Sequence, residues 1–351
     1  MIIKNVKVES HDMRLKEPYA IAGHLHESIK NTFITLEDSK GNIGIGSCAT
    51  KNDSEESTKE CFDKLNSFSS SLIGKELAPD ENTFNWIASE LPLNTEANAA
   101  VDIALHDLWA KSQKKMLVDV LGKKHQSFDT SITIGVSSLE KTIELAKKHI
   151  NNGFSILKIK IGDCVEEDIE RMAALFELKP EKIKIRVDAN RGYSKQELIK
   201  FYDETLDLGL ELIEQPMEVD QNNEMLYFPE EIRKICVADE SLQNFDHALR
   251  LVQEPKPFGV FNIKLMKCGG IFAARRIAAL AHENDIKLMW GCFDESKLSI
   301  SAALHTALSC ENTQYIDLDG FFDLGWDLVE GGYTCENGIM SVIEKPGLGA
   351  Y

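Results

Sequence analysis

Between residues 158 and 319 the chain places lysines and carboxylic acids at intervals that suit a catalytic site. These residues are Lys158, Lys160, Asp188, Glu214, Asp239, Lys264, Asp317 and Asp319. Such side chains move protons and bind divalent cations. Counted from Lys160 to Lys264, the successive intervals are 28, 26, 25 and 25 residues, and each equals the length of one β-strand and one α-helix.

The chain contains eight short β-rich runs, and six of them carry or immediately precede these residues. Each run except the last is followed by a segment with helical periodicity. The predicted strands are Ile132–Val136, Ile156–Ile161, Ile183–Val187, Leu210–Ile213, Ile235–Ala238, Val260–Ile263, Lys287–Trp290 and Gln314–Leu318. This alternation predicts an α/β fold in which a parallel sheet closes into a barrel. Chemistry in such barrels lies at the carboxyl ends of the strands, where the charged residues fall.

Lys158 and Lys160 are two residues apart on the second predicted strand, so both side chains leave the same face about 7 Å apart. The alternate residues are apolar and can pack against the surrounding helices. A central parallel strand has no solvent face, so two solvated edge lysines are a weak alternative. We expect the crowding of two ammonium groups to lower the pKa of one lysine and make it a general base.

Asp188, Glu214 and Asp239 end three successive predicted strands. A single acid at a strand end commonly caps a helix, but three acids that converge on one region repel unless a cation lies between them. An all-oxygen ligand set suits Mg²⁺, with water and substrate in the remaining positions. We therefore predict one Mg²⁺ on these three carboxylates.

Lys264 ends the sixth predicted strand, which lies opposite the second strand in an eight-stranded barrel. Lys160 and Lys264 would then face each other across the barrel mouth. A substrate carboxylate on the metal would hold its α-carbon between them, and the metal would stabilise the enediolate formed when the α-proton leaves. This arrangement predicts proton removal on one face and proton return on the other.

Asp317 and Asp319 are predicted to share a face of the eighth strand. Acids at a strand end commonly cap the following turn, and position alone does not decide between that role and substrate binding. As a site, the pair would offer negative charge to an ammonium group at the far end of the substrate. Metal at one end and acids at the other describe a short zwitterion such as a dipeptide.

The chain before the barrel predicts a separate α+β unit. Residues 2–9, Asn31–Glu37 and Ile43–Cys48 read as antiparallel strands, and helices are predicted over about Ser54–Leu72 and Asn94–Lys115. The segment Pro18–Ser28 is predicted as a surface loop, and Phe321–Tyr351 as extended or looped chain. We predict a capping domain over 1–125, a barrel over 126–324 and a C-terminal segment over 325–351.

The composition of the chain limits the classes of binding partner and indicates the cellular compartment. The formal net charge of −18 argues against nucleic acid and anionic membranes, because phosphate contacts need basic patches. The eight cysteines form no zinc-ligand spacing, and the N-terminus lacks the apolar core of a signal peptide. We expect a cytoplasmic protein with free thiols and a small-molecule substrate. A homo-oligomer is compatible with the sequence.

Several short motifs, spread over essentially the whole chain, resemble the enolase superfamily, in particular the dipeptide epimerases of its muconate-lactonizing subgroup. They are Leu157-Lys158-Ile159-Lys160, Val187-Asp188-Ala189-Asn190, Ile213-Glu214-Gln215-Pro216, Ala238-Asp239-Glu240-Ser241, Asn262-Ile263-Lys264-Leu265-Met266-Lys267-Cys268-Gly269-Gly270 and Asp317-Leu318-Asp319. The segments Ala99–Leu108 and Leu121-Gly122 are similar to the entry of that family into its barrel.

The resemblance implies a modified TIM barrel, (β/α)7β, with an N-terminal α+β capping domain to which the C-terminal segment returns. It also implies Mg²⁺ on the three acids, acid/base catalysis by Lys160 and Lys264, and electrostatic help from Lys158. The acid pair Asp317 and Asp319 would hold the α-ammonium of a dipeptide. The implied reaction is epimerisation at the α-carbon of the C-terminal residue.

His24 is a departure from the pattern of enzymes selective for Ala-Glu, which carry an arginine at the corresponding place in the first loop. A mostly neutral histidine cannot form the bidentate contact that an arginine makes to a carboxylate. We therefore expect a preference for neutral or hydrophobic second residues, with L-Ala-D/L-Glu epimerase activity as the alternative.

Three other functions compete with this interpretation. An o-succinylbenzoate synthase-type lyase uses the same metal and lysines but leaves Asp317 and Asp319 without a role. A Schiff-base aldolase gives no role to the three metal acids. A barrel that binds a chelating anion without turnover leaves the lysines on both faces unexplained.

Overall fold

A computed structural model describes residues 1–21, 24–50 and 54–351, together with the side chains of 1–16, 27–50 and 54–351. The chain begins with an antiparallel sheet of order β1-β2-β3. Its strands are β1 (Ile3–Ile21), β2 (His24–Asp38) and β3 (Ile43–Ala49). Strands β1 and β2 pair through Tyr19 and His26, so most of the predicted loop Pro18–Ser28 is strand, and that prediction was wrong.

Four helices follow this sheet, two of which were predicted from the sequence. They are α1 (Glu55–Leu72), α2 (Glu81–Glu90), α3 (Thr95–Ser112) and α4 (Leu117–Leu121). Ser54 and Asn94 cap α1 and α3, as expected for residues with short polar side chains. The short helices α2 and α4 lack the length that makes helical periodicity visible in sequence.

Helix α3 lies between the first sheet and the barrel and is buried along most of its length. Gly46 of β3 permits this contact, because a Cβ atom there would lie 1.9 Å from the carbonyl oxygen of Ala100. On the other side, Asp102 accepts hydrogen bonds from the backbone N–H groups of Ile271 and Phe272, at 2.5 and 3.2 Å. Helix α3 therefore joins the cap to the barrel.

A two-residue strand, β4 (Phe128–Asp129), precedes the barrel. The barrel strands are β5 (Ile132–Ile134), β6 (Ile156–Lys160), β7 (Lys184–Asp188), β8 (Leu212–Glu214), β9 (Cys236–Ala238), β10 (Val260–Ile263), β11 (Lys287–Gly291) and β12 (Thr313–Asp317). They pair in sequence order, and all pairs are parallel. The predicted fold class is confirmed.

Helices connect successive barrel strands. They are α5 (Leu139–Asn151), α6 (Val165–Leu178), α7 (Lys195–Thr205), α8 (Glu230–Ile235), α9 (Phe245–Leu251), α10 (Leu265–Cys268), α11 (Ile271–Glu283) and α12 (Lys297–Ala307), with 3-10 turns at Leu206–Leu208, Val219–Tyr227 and Gly320–Phe322. None of the described helices is long and apolar enough to cross a membrane.

The seam between the first and last barrel strands is closed by few contacts. Thr130 and Ile316 form an isolated parallel bridge, and Thr130 Oγ1 accepts a 2.9 Å hydrogen bond from the N–H of Leu318. Inside the barrel, a separate apolar layer fills the space below the strand ends. Its residues are Leu212, Val237, Val260 and Met289. Polar groups above this layer are the exception in a packed barrel interior.

The C-terminal segment contains a hairpin, so its prediction as extended or looped chain was incomplete. Strands β13 (Tyr333–Glu336) and β14 (Ile339–Val342) pair with each other, and β14 pairs with β4. Beyond the hairpin, the N–H of Leu348 donates a 2.8 Å hydrogen bond to Asp107 of α3. The segment thus contacts both the barrel entry and the cap helix.

Candidate active site

Three buried carboxylates lie at the carboxyl ends of adjacent barrel strands. Asp188 and Glu214 are the last residues of β7 and β8, and Asp239 directly follows β9. Their exposed fractions are 1, 2 and 4 %. The structure therefore brings the three predicted acids to one edge of the barrel.

Each of these carboxylates has one oxygen fixed by a neighbouring donor. The three hydrogen bonds run from Asn190 N to Asp188 Oδ1 (2.9 Å), from Asn262 Nδ2 to Glu214 Oε1 (2.7 Å) and from Lys267 Nζ to Asp239 Oδ1 (2.5 Å). One oxygen of each acid is thus left for another partner.

The second oxygen of each carboxylate faces a lysine ammonium group. Lys158 Nζ lies 3.1 Å from Asp188 Oδ2 and 2.8 Å from Glu214 Oε2, and Lys160 Nζ lies 2.7 Å from Asp188 Oδ2. Lys264 Nζ lies 3.0 Å from Asp239 Oδ2. Positive charge therefore already contacts the three remaining oxygens.

The chemistry of these three carboxylates suits a divalent cation. Among the described residues, no three acidic, histidine or cysteine side chains stand close enough together to hold a metal ion as they are. The ammonium group of Lys158 lies between the carboxylates of Asp188 and Glu214. Glu214 Oε2 is buried and makes no hydrogen bond despite its contact with Lys158. Three anionic oxygens, each with its partner oxygen fixed, are a donor set that Mg²⁺ prefers.

The pKa values of the acids reflect a balance between burial and these lysines. Burial raises the pKa of Asp188, but the charges of Lys160 and Lys158 outweigh it and lower that pKa to about 2. Burial and the charge of Asp188 raise the pKa of Glu214 to about 7. The pKa of Glu214 is thus raised although Lys158 contacts this carboxylate, because burial and the charge of Asp188 outweigh that lysine.

The lowered pKa that was expected for one lysine of the Lys158–Lys160 pair is not found at Lys158. Burial lowers the pKa of Lys158, but Asp317, Glu214 and Asp188 outweigh burial and hold that pKa well above its usual value. The pKa of Lys264 is likewise raised, since Asp239 outweighs burial. The prediction considered repulsion between ammonium groups and left out the carboxylates around them.

Lys160 and Lys264 lie on opposite sides of the barrel mouth, since β6 and β10 are separated by four steps in the ring of eight strands. Lys160 Nζ also donates a 2.6 Å hydrogen bond to Asn190 Oδ1. Lys264 Nζ lies 4.9 Å from the centre of the Phe293 ring. Each lysine is thus held by contacts of its own, and the space between them is flanked by two proton-carrying groups.

Asp317 and Asp319 lie close to the first barrel strand, but they do not share a strand face. Strand β12 ends at Asp317, and Asp319 has a turn conformation that opens the 3-10 turn Gly320–Phe322. Asp317 Oδ2 accepts a 2.6 Å bond from Lys158, while Asp319 Oδ2 accepts a 2.7 Å bond from the N–H of Thr133. Burial and the charge of Asp317 raise the pKa of Asp319 to about 7.

Two further predictions concern His24 and the cysteines. The side chain of His24, which is predicted to contact the substrate, lies outside the described residues. All eight cysteines are free, as expected.

Three residues that support the site were missed by the sequence analysis. Asn262 and Lys267 each hold a carboxylate, and Ser131 Oγ donates a 2.5 Å bond to Asp317 Oδ1. Lys267 left a usable signal, because it lies between Met266 and Cys268 in a buried, otherwise uncharged stretch. Asn262 precedes Lys264 by two residues on the same strand face. Ser131 left no comparable signal.

Comparisons with known proteins agree with this geometry. Residues 3–122 match the mandelate racemase / muconate lactonizing enzyme N-terminal domain, and residues 141–351 match the enolase C-terminal domain-like family. The chain is 43 % identical to an L-Lys-D/L-Arg epimerase of Desulforapulum autotrophicum over 99 % of both chains. It is 32 % identical to an L-Ala-D/L-Glu epimerase of Clostridium acetobutylicum over 99 % of this chain and 98 % of the relative.

A solved structure gives the same result in three dimensions. The dipeptide epimerase of Methylococcus capsulatus, complexed with Mg and the dipeptide L-Arg-D-Lys, superposes with a TM-score of 0.95. The two proteins are 39 % identical, and the match covers 100 % of this chain and 99 % of the other.

Proposed function

Because the chain belongs to the dipeptide epimerases of the enolase superfamily, in the muconate-lactonizing subgroup, we propose that it epimerises dipeptides at the α-carbon of their C-terminal residue. Membership of this family makes the chain an enzyme of the isomerase class. The observation that carries the proposal is the placement of Lys160 and Lys264 on opposite sides of a mouth edged by three carboxylates.

Lys160 and Lys264 exchange protons with the α-carbon from its two faces. One lysine, in its neutral form, removes the proton, and the other, as an ammonium group, returns one to the opposite face. Lys158 is buried among the acids and supplies fixed positive charge beside the substrate carboxylate. Epimerisation follows because the proton returns on the face opposite to its departure.

We assign Asp188, Glu214 and Asp239 to a Mg²⁺ ion, through the oxygens that now face the lysines. When bound, the metal would neutralise the substrate carboxylate and stabilise the charge that develops as the α-proton leaves. The three donors that fix the other oxygens keep the carboxylates oriented for this role. Magnesium-bound relatives support the assignment.

Asp317 and Asp319 bind the α-ammonium group of the dipeptide. Asp319 is held through one oxygen by the N–H of Thr133, which leaves the other oxygen available. Asp317 is fixed between Ser131 and Lys158 and adds negative charge next to it. A substrate without an ammonium group, as in the lyase alternative, would leave this acid pair without a partner.

We propose cationic dipeptides of the L-Lys-D/L-Arg kind as the preferred substrates. Two relatives with this name are 43 and 39 % identical to this chain over 99 % of its length. By contrast, a hydrophobic dipeptide epimerase is 31 % identical and an L-Ala-D/L-Glu epimerase is 32 % identical. The net charge of −18 favours the approach of cationic substrates. The preference for neutral or hydrophobic second residues, argued from His24, stays a prediction and defines the second candidate class.

The test is solvent exchange. The enzyme is incubated in D₂O with Mg²⁺ and a library of L,L-dipeptides that contains cationic, hydrophobic and acidic second residues, and deuterium is located by mass spectrometry. We expect deuterium at the α-carbon of the C-terminal residue, fastest for cationic dipeptides and lost on chelation. Faster exchange of hydrophobic dipeptides would select the second class. No exchange with any dipeptide would favour the lyase.

We also propose the domain division 1–125, 126–324 and 325–351 and a cytoplasmic location. The hydrogen bond between Leu348 and Asp107 supports the return of the last segment to the cap. Free cysteines support a reducing compartment.

A further inference from the structure

Lys267 lies in α10, three residues after Lys264, and its side chain is directed back into the barrel. The side chain is only 4 % exposed. Its ammonium group donates to Asp239 Oδ1 at 2.5 Å, to the backbone carbonyl oxygen of Asp239 at 2.6 Å and to the carbonyl oxygen of Asn262 at 3.2 Å. An ammonium group has three protons, so this set uses its full donor capacity.

We propose that Lys267 is a positioning residue for the metal site, which fixes Asp239 so that only its Oδ2 is presented to the Mg²⁺ ion. The inference rests on the proposed assignment of Asp239 as a metal ligand. With Oδ1 bound by Lys267, the carboxylate coordinates through one oxygen in a fixed direction. The backbone N–H of Lys267 donates a 3.0 Å hydrogen bond to the carbonyl oxygen of Lys264, but its ammonium group donates only to Asp239 and Asn262 among the described hydrogen bonds. The effect of the Lys267 side chain therefore reaches the metal through Asp239.

Lys267 also links two of the three carboxylates. Asn262 accepts a hydrogen bond from Lys267 through its carbonyl oxygen and donates one from its side chain to Glu214 Oε1. Asp239 and Glu214 are therefore oriented from one side by a connected pair of residues. Outer groups of this kind change metal affinity by about 10- to 100-fold when they are removed.

The sign of the effect separates positioning from simple charge. Lys267 carries positive charge next to a metal ligand, so if only charge mattered, its removal would tighten Mg²⁺ binding. If Lys267 orients Asp239, its removal lets the carboxylate rotate and weakens Mg²⁺ binding. A purely structural role would lower thermal stability and leave the Mg²⁺ dissociation constant unchanged.

The experiment compares the full-length enzyme with Lys267→Met and Lys267→Gln. Metal is removed by chelation, the Mg²⁺ dissociation constant is measured by calorimetry, and the melting temperature is measured without metal. Lys184→Met is the matched control, because Lys184 also pairs with a carboxylate, Glu211 at 2.7 Å, but its side chain is 60 % exposed and lies at the far end of β7. We expect a dissociation constant raised about 10- to 100-fold for both Lys267 variants and unchanged for the control.

Either Lys267 variant that folds decides the question. A dissociation constant within twofold of the wild-type value, or tighter binding, would overturn the inference. If the wild-type enzyme itself binds no Mg²⁺, the metal assignment under the proposed function fails instead. A KM for dipeptide and a kcat that both recover when Mg²⁺ is raised would further support positioning over damage to the fold.

Discussion

Ser131 Oγ donates a 2.5 Å hydrogen bond to Oδ1 of Asp317, so a residue just before the first barrel strand holds the acid at the end of the last. The neighbouring contacts repeat this pattern, with Thr130 bonded to Leu318 and Thr133 bonded to Asp319. The seam that closes the barrel is therefore also the support for the proposed ammonium site. Because the backbone pairing across this seam is sparse, the side-chain bonds set the position of the acids.

Replacement of Ser131 by alanine should weaken dipeptide binding. A hydrogen bond to a charged acceptor contributes about 1.5–3 kcal/mol. Because the variant lacks this bond, we expect kcat/KM for dipeptides to fall at least about tenfold. Most of the change should appear in KM, measured by initial rates of epimerisation. Ser309→Ala is the control, since Ser309 is also buried but donates to Thr306 in the turn after α12. Equal losses in the two variants would contradict the role given to Ser131.

Gly162→Ala should separate the loops that follow β6 and β7. Gly162 has φ +111°, and a Cβ atom there would lie 2.5 Å from the carbonyl oxygen of Ala189, in the loop after Asp188. We expect a loss of at least about 2 kcal/mol in the free energy of unfolding, measured by denaturant titration, together with a fall in activity.

Gly209→Ala controls for the backbone conformation alone. Gly209 also has positive φ, +80°, but nothing lies within 4 Å of the added Cβ position. The Gly209 variant should be destabilised only by the strain of its backbone conformation, and its activity should be unchanged. A Gly162 variant no less stable than the Gly209 variant would show that the close approach of the two loops is unimportant.

The sequence predicted the barrel well because its strands are buried on both faces and therefore read as continuous apolar runs. Val260–Ile263 was predicted with the observed ends, and Asp188 and Glu214 proved to be the last residues of their strands. Errors fell where periodicity is weak. Asp319 was predicted to lie on β12 because the alternation of polar and apolar residues continues in the sequence past Asp317. In the structure the chain turns after Asp317.

The electrostatics of the site could not be derived from the lysines alone. Lys158 has three carboxylates around it, and their combined charge reverses the pKa shift that ammonium crowding would give. The supporting contacts of Asn262 with Glu214 and of Lys267 with Asp239 could not be read from spacing, because each joins residues that are distant in sequence and meet only in the folded barrel. Residue type and spacing identified the groups that react, and the structure supplied those that orient them.

Lys160→Gln and Lys264→Gln should each slow epimerisation strongly, and the two variants should affect different substrate configurations. Each variant loses one of the two proton-transfer groups, so it should lose exchange with one configuration of the C-terminal residue, and turnover should fall by at least about 10²- to 10⁴-fold. Deuterium incorporation is followed separately for the two epimers of one dipeptide. Lys184→Gln serves as the exposed lysine control. Continued epimerisation by both active-site variants would rule out the two-lysine mechanism.

His305 should make the enzyme less stable below neutral pH. Its side chain is fully buried in α12, and Nδ1 accepts a 3.0 Å hydrogen bond from the N–H of Val118, which requires the neutral ring. Burial lowers the pKa of His305 to about 3, from about 6.5 in the unfolded chain. Between these two values the unfolded state binds the extra proton. This contribution to stability is therefore complete above pH 6.5 and declines as the pH falls towards 3.

The size of this effect follows from the interval between the measured pH and 6.5. From pH 7 to pH 5 the loss attributable to His305 should be about 2 kcal/mol, since each pH unit below 6.5 costs about 1.4 kcal/mol. His305→Gln retains an acceptor for the N–H of Val118 but does not titrate. Urea unfolding of both proteins at the two pH values isolates the contribution of this residue, because all other titrating groups are shared. If the wild-type enzyme and the variant lose the same stability over this range, His305 is not protonated on unfolding in the way its burial requires.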